Sequence, residues 1–222
     1  MDKIPVYFMP GLAASPSIFE RIELPRDKFE MILLEWCLPE EKESLAAYAK
    51  RMTSHIKHEN PVLIGVSFGG ILVQEMAKHI TARKVIIISS AKCNAEFPRR
   101  MKIAKVTRLY RLIPTKWLSK IENIAKLSLG NKVKQRLHLY EKFLAVRDTK
   151  YLDWAIKNVI MWDRAVADES VIHIHGDQDA IFPPQYIKRF IAVKDGTHVM
   201  ILNKYKWLNE YLPKIILEGQ QQ

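Results

Sequence analysis

The sequence predicts an α/β fold, a mostly parallel sheet of about six strands with helices on both faces, together with a helical cap. Three observations carry this. Short apolar or β-branched runs at Ile4–Met9, 29–35, 61–66, 84–90, 171–174 and 190–193 alternate with stretches of helical spacing. The alternation stops between 95 and 162, where helical stretches are broken at Pro98, Pro114 and Gly130-Asn131 and no convincing strand occurs. The basic excess sits in that same block: 92–164 holds 18 Lys and Arg against 6 Asp and Glu, while the remainder holds 17 against 18. A near-neutral body at 1–93 and 165–222 therefore carries a basic helical insertion at 94–164.

The elements follow in order. The first run, Ile4–Met9, reads as a buried strand, and Pro10 to Ser15 as a small-residue loop at its end. A strand at 29–35 ends by Pro39. From Ser44, a plausible cap, to Lys57, the residues Leu45, Tyr48, Ala49, Met52 and Ile56 recur at helical spacing. A buried strand at 61–66 leads into a helix expected over 71–79, and 84–90 is the best strand of the chain by propensity. Beyond the insertion come a strand at 171–174, a turn to Ala180, a helix after Pro183-Pro184, a short strand at 190–193, a last helix over 199–212 and a frayed tail from Glu218.

At 222 residues and 48% apolar composition the chain can bury a full core and is not a disordered segment. Its apolar runs are too short for a bilayer span and no signal-peptide pattern precedes the first strand, so a soluble cytoplasmic protein is expected. Two cysteines, Cys37 and Cys93, are too few for a disulfide framework and read as buried or half-buried thiols; no metal-ligand spacing is present.

The chemistry centres on Gly65-Val66-Ser67-Phe68-Gly69-Gly70. A serine on a tight turn between a buried strand and a helix is strained, and small residues two positions to either side let the backbone close around it. The helix that follows aims its positive end at the turn, where negative charge would develop on a substrate oxygen. The bland alternative is a glycine-rich strand-to-helix turn with an incidental serine. A nucleophilic serine needs a base and an orienting acid, and in such a sheet these belong on loops leaving the carboxyl ends of strands. Two loops qualify: His175-Gly176-Asp177-Gln178-Asp179, and Lys194-Asp195-Gly196-Thr197-His198. His198 is the candidate base against a capping or surface histidine, Asp177 and Asp179 compete as the acid, and Asp195 reads as a turn residue beside Gly196.

Taken together, Gly65 to Gly70, His175 to Asp179 with Pro183, and Gly196-Thr197-His198 resemble the α/β-hydrolase superfamily. The resemblance spans the chain outside the cap. It implies Ser67 as nucleophile, His198 as general base and acid, and Asp179, the last position of His-Gly-x-x-Asp, as orienting carboxylate. It further implies an oxyanion hole of two backbone amides, Phe68 and Leu12, although the His-Gly common in the family is Pro10-Gly11 here. Two strands common at the amino-terminal edge of that fold are lacking, which leaves a six-stranded sheet.

The expected reaction is hydrolysis of a carboxylic ester or thioester through an acyl-enzyme, as in carboxylesterases and thioesterases, with no metal or organic cofactor. The alternatives are a non-catalytic ligand-binding protein of the same fold and a hydrolase of carbon-carbon bonds. Trp117, Phe143, Trp154, Ile160 and Trp162 are candidate pocket walls, with cap core as the commoner role for most. The basic insertion invites an anionic small-molecule substrate. A second reading places Arg99, Arg100, Lys102, Lys105, Arg108 and Arg111, interleaved with Met101, Ile103, Val106, Leu109 and Leu112, on anionic lipid. A merely solvated face takes precedence over that membrane contact, since charge runs are usually no more than that. Without a stacking motif or recognition fold, no nucleic-acid partner is expected.

Overall fold

The computed structural model of the chain describes residues 2–112, 143 and 146–218. Six strands, β1 (Ile4–Met9), β2 (Phe29–Leu33), β3 (Val62–Val66), β4 (Lys84–Ile88), β5 (Ile172–Gly176) and β6 (Ile191–Val193), form one sheet in the order β2-β1-β3-β4-β5-β6. Every pairing is parallel. All carboxyl ends therefore open on one edge of the sheet, and the loops leaving β1, β3, β5 and β6 meet there. The central strand β3, Val-Leu-Ile-Gly-Val, is buried at every position. A strand without alternation of this kind is covered on both faces, as parallel sheets require.

Helix α1 (Leu45–Met52) begins where Ser44 Oγ accepts the Ala47 amide at 3.2 Å, and it buries Leu45, Tyr48, Ala49 and Met52. Beyond Met52 the helix passes into a 3-10 turn, Thr53–His55, and stops short of Lys57. Helix α2 (Phe68–Met76) is wholly buried. It starts three residues earlier than the sequence predicts, because Gly69 and Gly70 act here as contact surfaces and not as breakers. A Cβ on Gly70 would lie 2.6 Å from Ser90 Oγ, and one on Gly69 would overlap the carbonyls of Met9 and Pro10.

Between β4 and β5 the described helices are α3 (Arg99–Thr107), which ends where Arg108 turns left-handed, and α4 (Thr149–Met161), capped by Asp148. The helix expected after Pro183-Pro184 is only a 3-10 turn, Pro184–Tyr186, since the chain must re-enter the sheet as β6 at Ile191. The last helix divides into α5 (Met200–Asn203) and α6 (Tyr205–Glu218). Helix α6 contains Pro213 and continues to Glu218, beyond the Leu212 at which the sequence reading ends the helix. Cys37 is half-buried and Cys93 buried, both as free thiols. Pro114, Trp117 and Gly130-Asn131 lie outside the described residues.

Candidate active site

The chain leaves β3 into Ser67 with φ 52° and ψ −119°, a left-handed backbone that costs a non-glycine residue about 1–3 kcal/mol. The surroundings hold it there. The Ser67 amide donates to Ile88 O at 2.9 Å, and its carbonyl accepts from Ser90 Oγ at 2.7 Å and from the Gly70 amide at 2.9 Å. Gly65 gives the turn its room, since a Cβ there would overlap the Gly69 carbonyl. The turn thus presents the Ser67 hydroxyl at the carboxyl edge of the sheet.

His198, after β6, meets it from the side: Nε2 lies 3.0 Å from Ser67 Oγ. Its other nitrogen, Nδ1, lies 2.9 Å from Asp179 Oδ2. A carboxylate only accepts, so Nδ1 carries the proton and donates, and Nε2 is left to accept from the Ser67 hydroxyl. Asp179 is itself fixed, with Oδ1 accepting the amides of Ile181 at 2.8 Å and Phe182 at 2.9 Å. Burial pushes its carboxyl upward, but the hydrogen bond and charge of His198, with the Phe182 amide, outweigh this and hold it below the usual carboxylate range. Asp177 is exposed on the same loop, and Asp195 is an exposed left-handed turn residue that accepts from Gln178 Nε2.

The two loops carrying Asp179 and His198 touch backbone to backbone at Gly176 and Gly196. A Cβ on Gly196 would sit 2.8 Å from Gly176 Cα, and one on Gly176 would overlap the Gly196 carbonyl. The Gln178 amide crosses to Gly196 O at 2.9 Å, and the Asp177 amide to Val193 O at 3.3 Å.

Leu12 and Phe68 flank Ser67 in the wall of a cavity of about 280 Å³, and among the described residues neither amide donates to a loop or side-chain acceptor. The Leu12 loop is pinned from outside. Trp36 Nε1 donates to Gly11 O at 2.8 Å, the Ala13 amide donates to Tyr151 Oη at 3.3 Å, and Val146 N and Ser15 N bond to Ala13 O and Phe143 O. The Trp36 ring also stacks on Phe68, 4.9 Å between centroids and 9° from parallel. Tyr151 is wholly buried, and burial raises its hydroxyl well above the ordinary tyrosine range, so it serves as a neutral hydrogen-bonding group.

Apart from Ser67 and His198, the described lining of the cavity is apolar or glycine: it includes Ala14, Ile18, Met101, Val159, Ile181, Phe182 and Leu202. Phe143 belongs to this lining. Trp154 and Trp162 do not: Trp154 packs on Tyr48 and Phe68 and donates to Glu43 O at 2.7 Å, and Trp162 donates to Glu75 Oε1 at 3.0 Å. No described lysine or arginine reaches the lining. Arg100, Lys102 and Lys105 instead donate to backbone carbonyls of Ala180 and Ile181, of Ala95 and of Trp162.

Sequence reasoning misses Trp36, Tyr151 and Ser90. Of these only Trp36 leaves a usable signal, a large aromatic on the carboxyl-end loop of the strand beside β1. A second buried feature is also unforeseen: His173 Nε2 lies 3.1 Å from His175 Nδ1, and His175 Nε2 donates to Phe182 O at 2.8 Å.

Comparison with protein-family models gives no match, and neither does comparison with curated protein sequences. Solved structures do match. An enol-lactonase from Burkholderia xenovorans LB400 superposes with a TM-score of 0.70 at 11% identity, covering 98% of this chain and 93% of that one. A bromoperoxidase from Bacillus anthracis gives 0.69 at 16%, covering 98% and 92%. A thermophilic esterase from Thermogutta terrifontis, solved with malate bound, gives 0.66 at 12%, covering 98% and 91%. The chain has the α/β-hydrolase fold. These three differ in the reaction they are named for, so the fold they share does not select the chemistry, which has to be argued from the site.

Proposed function

We propose that the chain is a serine hydrolase that cleaves carboxylic esters or thioesters with a neutral, apolar acyl group. The observation that carries the reading is the hydrogen-bonded series Asp179, His198, Ser67 at the wall of an apolar cavity. Ser67 Oγ attacks the substrate carbonyl carbon as its proton passes to His198 Nε2. The resulting oxyanion accepts from the amides of Leu12 and Phe68, and Asp179 stabilises the imidazolium. Collapse breaks the bond to the leaving alcohol or thiol, which takes the proton from His198. Water then attacks the acyl-enzyme and gives its proton to His198; the acid departs and Ser67 regains its hydrogen.

The acyl preference rests on the lining. A carboxylate-bearing acyl chain would lose its hydration among Ile18, Met101, Val159 and Leu202 with no cation among the described residues to meet it, whereas an aliphatic one gains from burial. At about 280 Å³ the cavity lies at the small end of ligand pockets, in keeping with a short or medium acyl group.

The test is direct. Wild-type protein should take a fluorophosphonate label on Ser67 and hydrolyse p-nitrophenyl butyrate, and Ser67→Ala should lose the label and at least about a thousandfold of the rate. Folded wild-type protein that neither labels nor turns over short esters and thioesters would leave a ligand-binding role. A succinate monoester cleaved as fast as the butyrate would remove the apolar-acyl assignment.

A further inference from the structure

The outer surface of α3 and of the 3-10 turn after it, Leu109–Leu112, is not accounted for by the core or by the site. Ile103, Val106, Leu109 and Leu112 are 57%, 83%, 51% and 76% exposed. They are four of the nine large apolar side chains exposed among the described residues, so this is a concentration and not the scatter of single apolar residues found on any surface. Cations run between them: Arg99, Arg100, Lys102, Lys105, Arg108 and Arg111, with no Asp or Glu anywhere between Glu96 and Glu122.

These cations divide by what they touch. Arg100, Lys102 and Lys105 turn inward to backbone carbonyls and tie α3 to the rest of the molecule. Arg99, Arg108 and Arg111 are exposed and have no ion-pair partner among the described residues. The segment is anchored as well as exposed, because Met101 faces the active-site cavity and Tyr110 is buried. A solvated charge run would set its cations among polar side chains. Here the intervening exposed residues are mostly aliphatic.

We propose that this surface docks on an anionic lipid bilayer, with Ile103, Val106, Leu109 and Leu112 entering the headgroup boundary and Arg99, Arg108 and Arg111 meeting lipid phosphates. The combination selects this occupant. A second copy of the chain would bring like charge against like charge. A nucleic acid would satisfy the cations but leave the aliphatic side chains in water, and the stretch exposes no aromatic ring for a base to stack on. A bilayer meets both halves of the chemistry. Contact is peripheral, since no described helix is long and apolar enough to cross a membrane. Because Met101 on the same helix walls the cavity, docking would bring the Ser67 site beside the lipid surface.

Vesicle co-sedimentation of the full chain tests this without reference to turnover, so its outcome is independent of the hydrolase reading. Binding to phosphatidylcholine–phosphatidylglycerol vesicles should exceed binding to pure phosphatidylcholine by at least about tenfold, each basic residue near the surface contributing about fivefold. Val106→Asp should lower binding to the mixed vesicles by about tenfold or more, and Arg108→Glu with Arg111→Glu by about twentyfold or more. Val106 is outside the core and the cavity, so its variant should fold and hydrolyse a soluble ester as the wild type does. Equal binding to both vesicle types would overturn the proposal, as would binding insensitive to Val106→Asp. Tighter binding to duplex DNA or to poly-L-glutamate than to the mixed vesicles would assign the surface to another polyanion. A dimer in sedimentation that Val106→Asp dissociates would assign it to a second copy.

Discussion

Trp36 donates its indole N–H to the carbonyl of Gly11 at 2.8 Å while its ring lies flat on Phe68. One side chain thereby grips both halves of the proposed oxyanion hole, the loop after β1 and the first turn of α2. Trp36→Phe keeps an aromatic face for Phe68 but leaves Gly11 O without its donor. The expected result is a fall in kcat of about tenfold with KM little changed, because an oxyanion is held more tightly in the transition state than in the bound substrate. Losing the buried hydrogen bond should also cost about 1–3 kcal/mol of stability. Fluorophosphonate labelling of Ser67 should slow with kcat; a variant that loses stability but labels at the wild-type rate would reduce Trp36 to a core residue.

The carboxylate assignment separates two residues on one loop. Asp179 has no exposed side-chain surface and holds His198 Nδ1, whereas Asp177 is exposed. Asp179→Asn should lower kcat by about four orders of magnitude, since an amide facing Nδ1 favours the wrong imidazole tautomer. Asp177→Asn should stay within about twofold of wild type by the same chromogenic assay.

Gly176 and Gly196 hold the loops of Asp179 and His198 in contact, and this predicts a contrast with Gly11. A methyl on Gly196 would lie 2.8 Å from Gly176 Cα and 2.9 Å from Val193 O, so the loops must part. Gly196→Ala should lose about 1–3 kcal/mol of stability and most of the activity, as Asp179 and His198 separate. At Gly11 the nearest atoms to a new Cβ are 3.5 Å away, at Ser67 Cβ and Val66 O, which is ordinary contact. Gly11→Ala should therefore keep the wild-type urea midpoint. Equal loss from both substitutions would contradict the close approach.

The parts of this molecule that can be read from its sequence are those that local chain geometry dictates. Ser67 between Gly65 and Gly69, and Asp179 and His198 just past strand-like runs, are visible because a tight strand-to-helix turn and strand-exit loops impose residue types at short spacings. The sheet is visible for the same reason, since the apolar runs at 62–66 and 85–88 are of strand length and rich in β-branched residues. What is not visible depends on distant packing. Nothing near Tyr151 announces that its hydroxyl would accept the Ala13 amide, and nothing near Glu43 that its carbonyl would accept from Trp154. Glycine and proline mislead wherever tertiary contact overrides their usual effect: Gly69 and Gly70 lie inside α2, and Pro213 inside α6.

The buried histidine pair predicts the response of stability to acid. His173 and His175 are both fully buried on β5, and His173 Nδ1 has no hydrogen-bond partner among the described residues. Burial, then the neighbouring His175 and Lys92, holds His173 well below the ordinary histidine range. Burial also lowers His175, with Asp179 and the Phe182 carbonyl opposing. In the unfolded chain both protonate near pH 6.5. Below that pH the unfolded state binds more protons than the folded one, so stability falls as pH falls, by up to about 1.4 kcal/mol per pH unit for each histidine that stays neutral when folded. The depressed Asp179 adds loss of the same sign only at lower pH, near and below the carboxylate range. Urea midpoints measured from pH 7.5 down to 5 should therefore decline below about pH 6.5. His173→Gln can still offer an N–H to His175 Nδ1 but cannot take up a proton, so its decline should be about half as steep. An unchanged slope in that variant would mean that the acid sensitivity arises elsewhere.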